Sequence, residues 1–127
     1  ARERTEAILE QINLSSRRDV PAGVLSYAEQ RALEIGVTIA GGADVIMLDE
    51  PTAGMSRSET DHAVELIRKV SVGKTLIIVE HDMGLVMNVS DEVVVLSYGE
   101  KIADAEPRAV QGNPEVIRVY LGEEDAA

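Results

Sequence analysis

The sequence contains no cysteine, phenylalanine or tryptophan, and only three tyrosines occur among its 127 residues. Without cysteine the chain can form neither disulfides nor thiolate metal sites, which fits a reducing compartment. With so few aromatic rings, the core must be built from aliphatic side chains. Hydrophobic residues make up 45% of the chain, so a packed domain is expected rather than wholesale disorder.

Basic residues are also scarce. Twelve lysines and arginines face 23 acidic residues, for a net charge of -11, which argues against a nucleic-acid-binding surface. No apolar run approaches the roughly 20 residues of a membrane-spanning helix. The opening segment, ARERTEAILEQ, has no apolar signal-peptide core. The sequence therefore predicts a soluble intracellular protein of about one domain.

Three uninterrupted apolar runs predict strands: VIML (45–48), TLIIV (75–79) and VVVL (93–96). None of them alternates polar and apolar residues, so we expect each to be buried on both faces, as parallel strands are. Helical patterns separate the runs, the first with a capping box from Ser56 and Glu59 and the second with Asp82 as N-cap. This order of elements predicts right-handed crossovers and a parallel sheet.

Further elements flank the strands. The segment SYAEQRALEIGVTIAGG predicts a largely buried helix that begins with a capping box from Ser26 and Glu29 and stops at Gly41-Gly42. An amphipathic helix is predicted over residues 3–13, before a polar loop. After the third strand we expect a hairpin turning at Gly99 and two short helices, EPRAVQG and NPEVIRVYLG. A frayed acidic tail, EEDAA, should follow.

Two adjacent carboxylates, Asp49 and Glu50, end the first apolar run. Desolvated carboxylates are costly unless a cation or hydrogen-bond donor meets them. Ligands of parallel α/β sheets bind beyond the carboxyl ends of the strands, where Glu80 and His81 are also expected. A phosphate-transfer ATPase uses such a pair to hold Mg²⁺ and to position a base. The alternative is that Asp49 merely starts a turn before Pro51 and that Glu50 is exposed.

Three motifs in this order resemble the ATP-binding subunit of an ABC transporter. LSYAEQR resembles the signature motif, VIMLDEP the Walker B strand with AGMS as D-loop, and IIVEHDM the switch-histidine segment. The tyrosine in LSY, the DEPTAGM turn, EHDMGLVM and the ending NPEVIRVYLGE resemble the branched-chain amino acid importers within that family.

The resemblance implies an α/β fold of the parallel-sheet P-loop NTPase type, with a C-terminal β-hairpin and short helices. Residues 1–42 would be the end of the helical subdomain, including the signature motif. Residues 43–127 would be the C-terminal part of the RecA-like ATPase core, with Walker B, D-loop and switch histidine.

The resemblance also implies roles for individual residues. Asp49 would act on Mg²⁺, Glu50 as general base, and His81 as a contact to the γ-phosphate. The signature would contact ATP bound to a partner subunit through Ser26, Tyr27, Ala28, Glu29 and Gln30. The D-loop would consist of Ala53, Gly54, Met55 and Ser56.

The cofactors implied are ATP and Mg²⁺, in the intact protein only. The partners implied are a second ATP-binding subunit and transmembrane permease subunits, with no nucleic acid. The location implied is cytoplasmic, peripheral on the cytoplasmic face of the cell membrane.

Two departures from the family pattern matter. The signature usually carries glycine where this chain has Ala28, and a methyl group there can crowd a phosphate. The phosphate loop, G-x-x-x-x-G-K-[ST], is nowhere in the sequence; VGKT (72–75) fails because Arg68 stands where the first glycine is required. The chain thus resembles the C-terminal half of a nucleotide-binding domain. Alone, it is expected to be inactive and to self-associate through an exposed strand edge.

Two other classes of function remain open from the sequence. One is a non-catalytic binding or regulatory module derived from an ABC ATPase. The other is a non-transport ABC ATPase, against which the acidic charge and the importer-like ending weigh. The residues encoded upstream separate the first class from the enzyme, because a phosphate loop there would mark this chain as part of an enzyme.

Overall fold

Two of the predicted strands pair as a parallel two-stranded sheet. Strand β1 (Val45–Asp49) runs beside β2 (Thr75–Val79). The pair belongs to a compact unit of residues 1–80 in the computed structural model, which describes residues 1–120. Because the strands are parallel, their carboxyl ends lie at the same edge of the sheet, where α/β proteins bind their ligands.

Three helices complete this first unit: α1 (Arg2–Gln11), α2 (Tyr27–Ala40) and α3 (Arg57–Val70). The predicted capping box of α3 is confirmed, since Ser56 Oγ accepts from the Glu59 amide at 3.2 Å and Glu59 Oε2 accepts from the Ser56 amide at 2.8 Å. Short 3₁₀ turns over Ser15–Arg17 and Ala22–Val24 occupy the predicted polar loop.

The core of the first unit is aliphatic, as the composition predicts. Side chains that follow α1 or lie on α2 and α3 form it, and Leu48 of β1 and Leu76 of β2 pack against them. The buried members are Ile12, Leu14, Ile35, Leu66, Ile67 and Val70. The helices therefore cover one face of the strand pair.

The other face of the strand pair is open, which makes the prediction of burial on both faces wrong for residues 1–120. Val45, Met47, Ile77 and Val79 are exposed, and Met47 has 71% of its surface accessible. The physical reason is the alternation of side chains along a strand, since only every second residue reaches the face where α1–α3 pack. The predicted burial of α2 is also wrong in extent, since Ile35 and Gly36 alone of its residues are buried.

The second unit begins at His81 and has its own sheet and core. Its elements are α4 (Met83–Val89), β3 (Val93–Ser97), β4 (Glu100–Ala105), α5 (Pro107–Gln111) and α6 (Pro114–Tyr120). Asp82 caps α4 as predicted, because its Oδ1 accepts from the Leu85 amide at 3.1 Å. The core consists of Val86, Val93, Val95, Val110 and Val116. The end of the last predicted helix and the tail EEDAA lie outside the described residues.

The third predicted strand differs from expectation in its pairing. β3 forms an antiparallel hairpin with β4 and does not extend the parallel pair of β1 and β2. The turn lies at Tyr98 and Gly99, whose φ angles are +49° and +78°, so the predicted hairpin is confirmed. A tight turn offers β3 a neighbour close in sequence, whereas an apolar run by itself carries no information about its partner.

Candidate functional site

The predicted strand-end carboxylates lie at the carboxyl edge of the parallel pair. Asp49 is the last residue of β1 and is exposed, whereas Glu50 follows it and is half-buried. The Glu50 amide donates to the carbonyl oxygen of Val79 at 2.8 Å. This bond continues the strand pairing by one residue, so the backbone of Glu50 is attached to the end of β2.

Glu50 has a backbone conformation that side-chain-bearing residues rarely adopt. Its φ angle is +46°, in the left-handed region, which costs about 1–3 kcal/mol for a residue other than glycine. The surroundings must compensate for that cost. The Ala53 amide donates to the Glu50 carbonyl at 3.2 Å, within the turn that follows. A second donor to that carbonyl comes from outside the turn.

That second donor is Arg31, on the first turns of α2. Its Nη2 lies 2.9 Å from the carbonyl oxygen of Glu50 and 3.4 Å from that of Asp49. Its Nη1 donates to Glu34 at 3.1 Å, and its guanidinium lies 5.8 Å from the centre of the Tyr27 ring. A cation therefore meets the Asp49–Glu50 pair through the backbone carbonyls.

A second polar link joins the turn after β1 to the end of β2. Thr52 is only 7% exposed. Its Oγ1 and its amide donate to Glu80 Oε1 at 2.9 Å and 3.3 Å. Glu80 directly follows β2, so one carboxylate oxygen satisfies two buried donors of the turn that carries Pro51. The sequence located Glu80 at this edge but gave it no role.

The signature segment forms the start of α2. Ser26 is the N-cap, with its Oγ accepting from the Glu29 amide at 3.2 Å. The predicted capping box is only half formed, because the Glu29 carboxylate pairs with Arg17 at 3.4 Å; a charge-assisted bond to a guanidinium outcompetes one to a neutral amide. Gln30 Nε2 donates to the carbonyl of Ala22 at 3.1 Å, which ties the helix to the preceding loop.

The D-loop segment lies in the tight turn between β1 and α3. Ala53 and Gly54 are exposed, Met55 is half-buried, and Ser56 begins α3 as its N-cap. Gly54 has a φ angle of +77°, a conformation suited to glycine. A methyl group built on Gly54 would lie 3.9 Å from the Tyr27 ring. The signature and D-loop segments are therefore close neighbours within this chain.

A cavity of about 310 Å³ lies between the start of α2, this turn and α3. Most of its wall is apolar, and charged groups from α2 and α3 lie among the lining residues. Its lining includes Ser26, Ala28, Arg31, Met55, Glu59 and His62. The half-buried Ala28 forms part of the wall of this cavity, and its effect on the approach of a phosphate stays a prediction.

His81 is the first residue of the second unit and is exposed. It directly follows Glu80, and Asp82 after it caps α4. Along the chain, His81 therefore stands between the end of β2 and the N-cap of α4. Its contact with a phosphate stays a prediction.

No cluster of three or more histidine, aspartate or glutamate side chains within residues 1–120 could hold a metal ion. Mg²⁺ at phosphate-transfer sites is commonly held by one or two carboxylates together with water and substrate phosphates. A single exposed carboxylate such as Asp49 suits that chemistry.

Among residues 1–120, none of the helices has the length and apolar character of a membrane span.

Comparison with known proteins supports the resemblance found in the sequence. The family model described as "Branched-chain amino acid ATP-binding cassette transporter" matches residues 100–126. The chain is 43% identical over 117 residues to the high-affinity branched-chain amino acid transport ATP-binding protein BraF of Pseudomonas aeruginosa, which covers 91% of this chain and 46% of BraF. The chain is thus similar to ATP-binding cassette proteins over most of its own length.

Two further ATP-binding cassette proteins extend the match. The chain is 39% identical to the ATP-binding protein LivG of Escherichia coli over 97% of this chain and 49% of LivG. The structure also resembles that of the ADP conformation of MJ1267, an ATP-binding cassette of an ABC transporter. The TM-score is 0.82 at 30% identity, over 94% of this chain and 49% of MJ1267. The chain thus has the fold of an ABC ATPase nucleotide-binding domain and spans about half the length of the relatives that it matches.

Arg31 is the residue at this site that sequence reasoning missed. It lies within the quoted LSYAEQR motif but was given no role there. One signal could have found it, since Arg31 is the only basic residue of α2 in a chain that carries 12 basic residues. A lone cation on a mostly apolar helix needs a partner.

Proposed function

We propose that this chain is part of an ATP-hydrolysing subunit that powers ABC-type import of branched-chain amino acids. The observation that carries the proposal is the strand end at Asp49-Glu50. There a carboxylate pair at the edge of a parallel sheet is joined to the signature helix through Arg31. The matches to BraF and LivG, each over more than nine-tenths of this chain, support the substrate class.

In this proposal Glu50 is the general base. It accepts a proton from water as the water oxygen bonds to the γ-phosphorus of ATP, and the bond from that phosphorus to the leaving oxygen of ADP breaks. His81 contacts the γ-phosphate. Asp49 would hold Mg²⁺, which would supply positive charge that stabilises the phosphate group.

The signature and D-loop residues contribute to a second site in the assembled protein. Two ATP-binding subunits would enclose ATP between them, and Ser26 to Gln30 of one subunit would contact the nucleotide held by the other. Ser26 is the N-cap of α2, and the backbone amides of the first turn lie at the N-terminus of this helix. A helix N-terminus favours an anion. The D-loop, residues 53–56, would carry contacts between the subunits, because it lies beside the signature in this structure.

The same proposal assigns the two parts of the chain to parts of a nucleotide-binding domain. Residues 1–42 would end the helical subdomain, and residues 43–127 would form the C-terminal part of the ATPase core. The intact subunit would bind permease subunits at the cytoplasmic face of the membrane and would not bind nucleic acid.

We expect the 127-residue chain alone neither to hydrolyse nor to bind ATP tightly. Asp49 and Glu50 repel a polyphosphate when no phosphate-loop lysine and backbone nest face them. Titration calorimetry with Mg-ATP measures this, and no heat of binding should appear at micromolar nucleotide. A micromolar dissociation constant would contradict the expectation and require a different phosphate site on these residues.

The function itself is tested on the intact protein reconstituted with its permease and binding-protein partners in liposomes. ATP hydrolysis should rise when leucine, isoleucine or valine is supplied with the binding protein, and glutamate or histidine should leave it unchanged. If hydrolysis does not respond to leucine, isoleucine or valine, the protein is an ATPase that does not serve branched-chain amino acid import. The absence of any hydrolysis would favour the non-catalytic module.

A further inference from the structure

The guanidinium of Arg31 connects two elements that are far apart in sequence. It extends from α2 to the carbonyl oxygens of Glu50 and Asp49, which lie 19 and 18 residues further along the chain. The side chain is 26% exposed, and Tyr27 and Glu34 flank it on the same helix. The start of α2 and the end of β1 are thus joined through one side chain.

The chemistry of this contact favours arginine. A guanidinium offers several N–H groups in a fixed plane, so one end of it can reach two neighbouring carbonyls while the other end binds Glu34. Lysine would present a single point of charge on a flexible stem. The buried Nε of Arg31 has no hydrogen-bond partner, which costs free energy. The side chain is held in place by its remaining contacts in spite of that cost.

The bond to Glu50 acts on a strained residue. Glu50 has a φ angle of +46°, and its carbonyl belongs to the peptide unit that precedes Pro51. Holding that carbonyl restricts rotation about ψ of Glu50, so it also restricts the direction in which the Glu50 side chain leaves the backbone. Displacement of a catalytic group lowers the rate of reaction, and an error of about 1 Å in its position can lower that rate by about 10²-fold.

We propose that Arg31 is a positioning residue that holds Glu50 in its left-handed conformation and links its placement to the signature helix. The inference rests on the proposed function, since it assigns Glu50 as the base. It goes beyond that function because it links two ATP sites to which one chain would contribute, one through Glu50 and the other through the signature. When the start of α2 is displaced, Arg31 carries the displacement to the carbonyl of the base.

The test is a double-mutant cycle in the intact ATPase, with Arg31→Gln, Glu50→Gln and the double variant. Arg31→Gln alone should lower kcat by about 10- to 100-fold with KM for ATP changed little. In the Glu50→Gln background the same change should have no further effect, because Arg31 acts through Glu50. Losses that multiply in the double variant would overturn the proposal.

The matched control is Arg4→Gln. Arg4 Nη2 donates to the carbonyl of Ala40 at 2.8 Å, the same kind of bond at the opposite end of α2. This variant should retain wild-type kcat. Equal losses from Arg4→Gln and Arg31→Gln would reduce Arg31 to a general support of the helix and overturn its special role.

Hydrogen exchange of the segment 50–53 gives a readout that does not depend on hydrolysis. In Arg31→Gln the Ala53 amide, which donates to the Glu50 carbonyl, should exchange faster than in the wild type and in Arg4→Gln. Unchanged exchange would overturn the inference. If the wild-type protein fails to hydrolyse ATP, the proposed function fails, but this measurement still decides the role of Arg31. If Arg31→Gln does not fold, Arg31→Lys replaces it in both experiments, with smaller changes of the same sign.

Discussion

At the scale of single residues, Thr52 is buried although its side chain is polar, and Glu80 explains why. The hydroxyl and the amide of Thr52 both donate to one carboxylate oxygen of Glu80. A hydrogen bond to a charged group contributes more to stability than one between neutral groups. The turn after β1 is therefore held from two sides, by Glu80 and by Arg31.

Thr52→Val should lower the free energy of unfolding by about 1–3 kcal/mol. Valine keeps the branched shape but removes the Oγ1 donor, which leaves Glu80 with the amide bond only. Urea unfolding of the intact protein measures the change. Thr38→Val is the control, because Thr38 Oγ1 donates to the carbonyl of Glu34 on an exposed helix surface. An equal loss in both variants would contradict the role of the Thr52–Glu80 contact.

At the scale of secondary-structure elements, the bounds of strands and the starts of helices follow from the sequence more closely than the contacts between elements do. The runs at 45–48 and 75–79 form strands with nearly the predicted bounds, and the capping box of α3 is present. Such features depend on residues within a few positions of one another. The hairpin of β3 and β4 is likewise local, and its turn at Gly99 was predicted. The open face of β1 and β2 and the contacts of Arg31 depend on residues distant in sequence, which local patterns do not encode.

Two acidic residues interact at the β3–β4 hairpin, Glu92 directly before β3 and Asp104 on β4. A hydrogen bond to Asp104, and repulsion by its charge, raise the pKa of Glu92. The same hydrogen bond, together with Lys101, lowers the pKa of Asp104. For Glu92 the raised pKa means that its contribution to stability is present below its ordinary pKa and is lost as pH rises through the raised value. For Asp104 the contribution is present above its ordinary pKa and is lost as pH falls through the lowered value.

Glu92→Gln should therefore raise the melting temperature slightly at pH 7. The amide keeps a donor for Asp104 and removes the repelling charge at neutral pH, whereas at pH 4 the protonated Glu92 of the wild type already does both. Thermal unfolding at the two values measures the difference, which should shrink toward acid. Glu100→Gln on the same hairpin removes an equal charge and should lack this pH dependence. The same profile in both variants would contradict the interaction between Glu92 and Asp104.

At the scale of the whole molecule, the open face of β1 and β2 is the feature with the largest consequence. Met47 and Val79 are 71% and 57% exposed there, and the strand pair has unpaired backbone at its edges within residues 1–120. Exposed edges and contiguous apolar surface both favour association. The net charge of -11 opposes it, but salt screens that repulsion within about 8–10 Å.

We expect the isolated 127-residue chain to form dimers or larger oligomers, more strongly as salt rises. Light scattering over a dilution series measures the association. Met47→Glu, which places a charge in the open face, should weaken it, whereas Val72→Glu should not, although Val72 is 79% exposed. A monodisperse folded monomer at high micromolar concentration, or equal effects of the two substitutions, would contradict association through this face.

The assignment of Glu50 as general base is tested most directly by Glu50→Gln in the intact protein. The substitution keeps the shape of the side chain and removes the base, so steady-state ATP hydrolysis should fall by about 10²–10⁴-fold. Mg-ATP should at the same time stay bound through gel filtration. Glu65→Gln, at an exposed carboxylate of α3, should hydrolyse ATP at the wild-type rate. Near-normal turnover by Glu50→Gln would contradict the account.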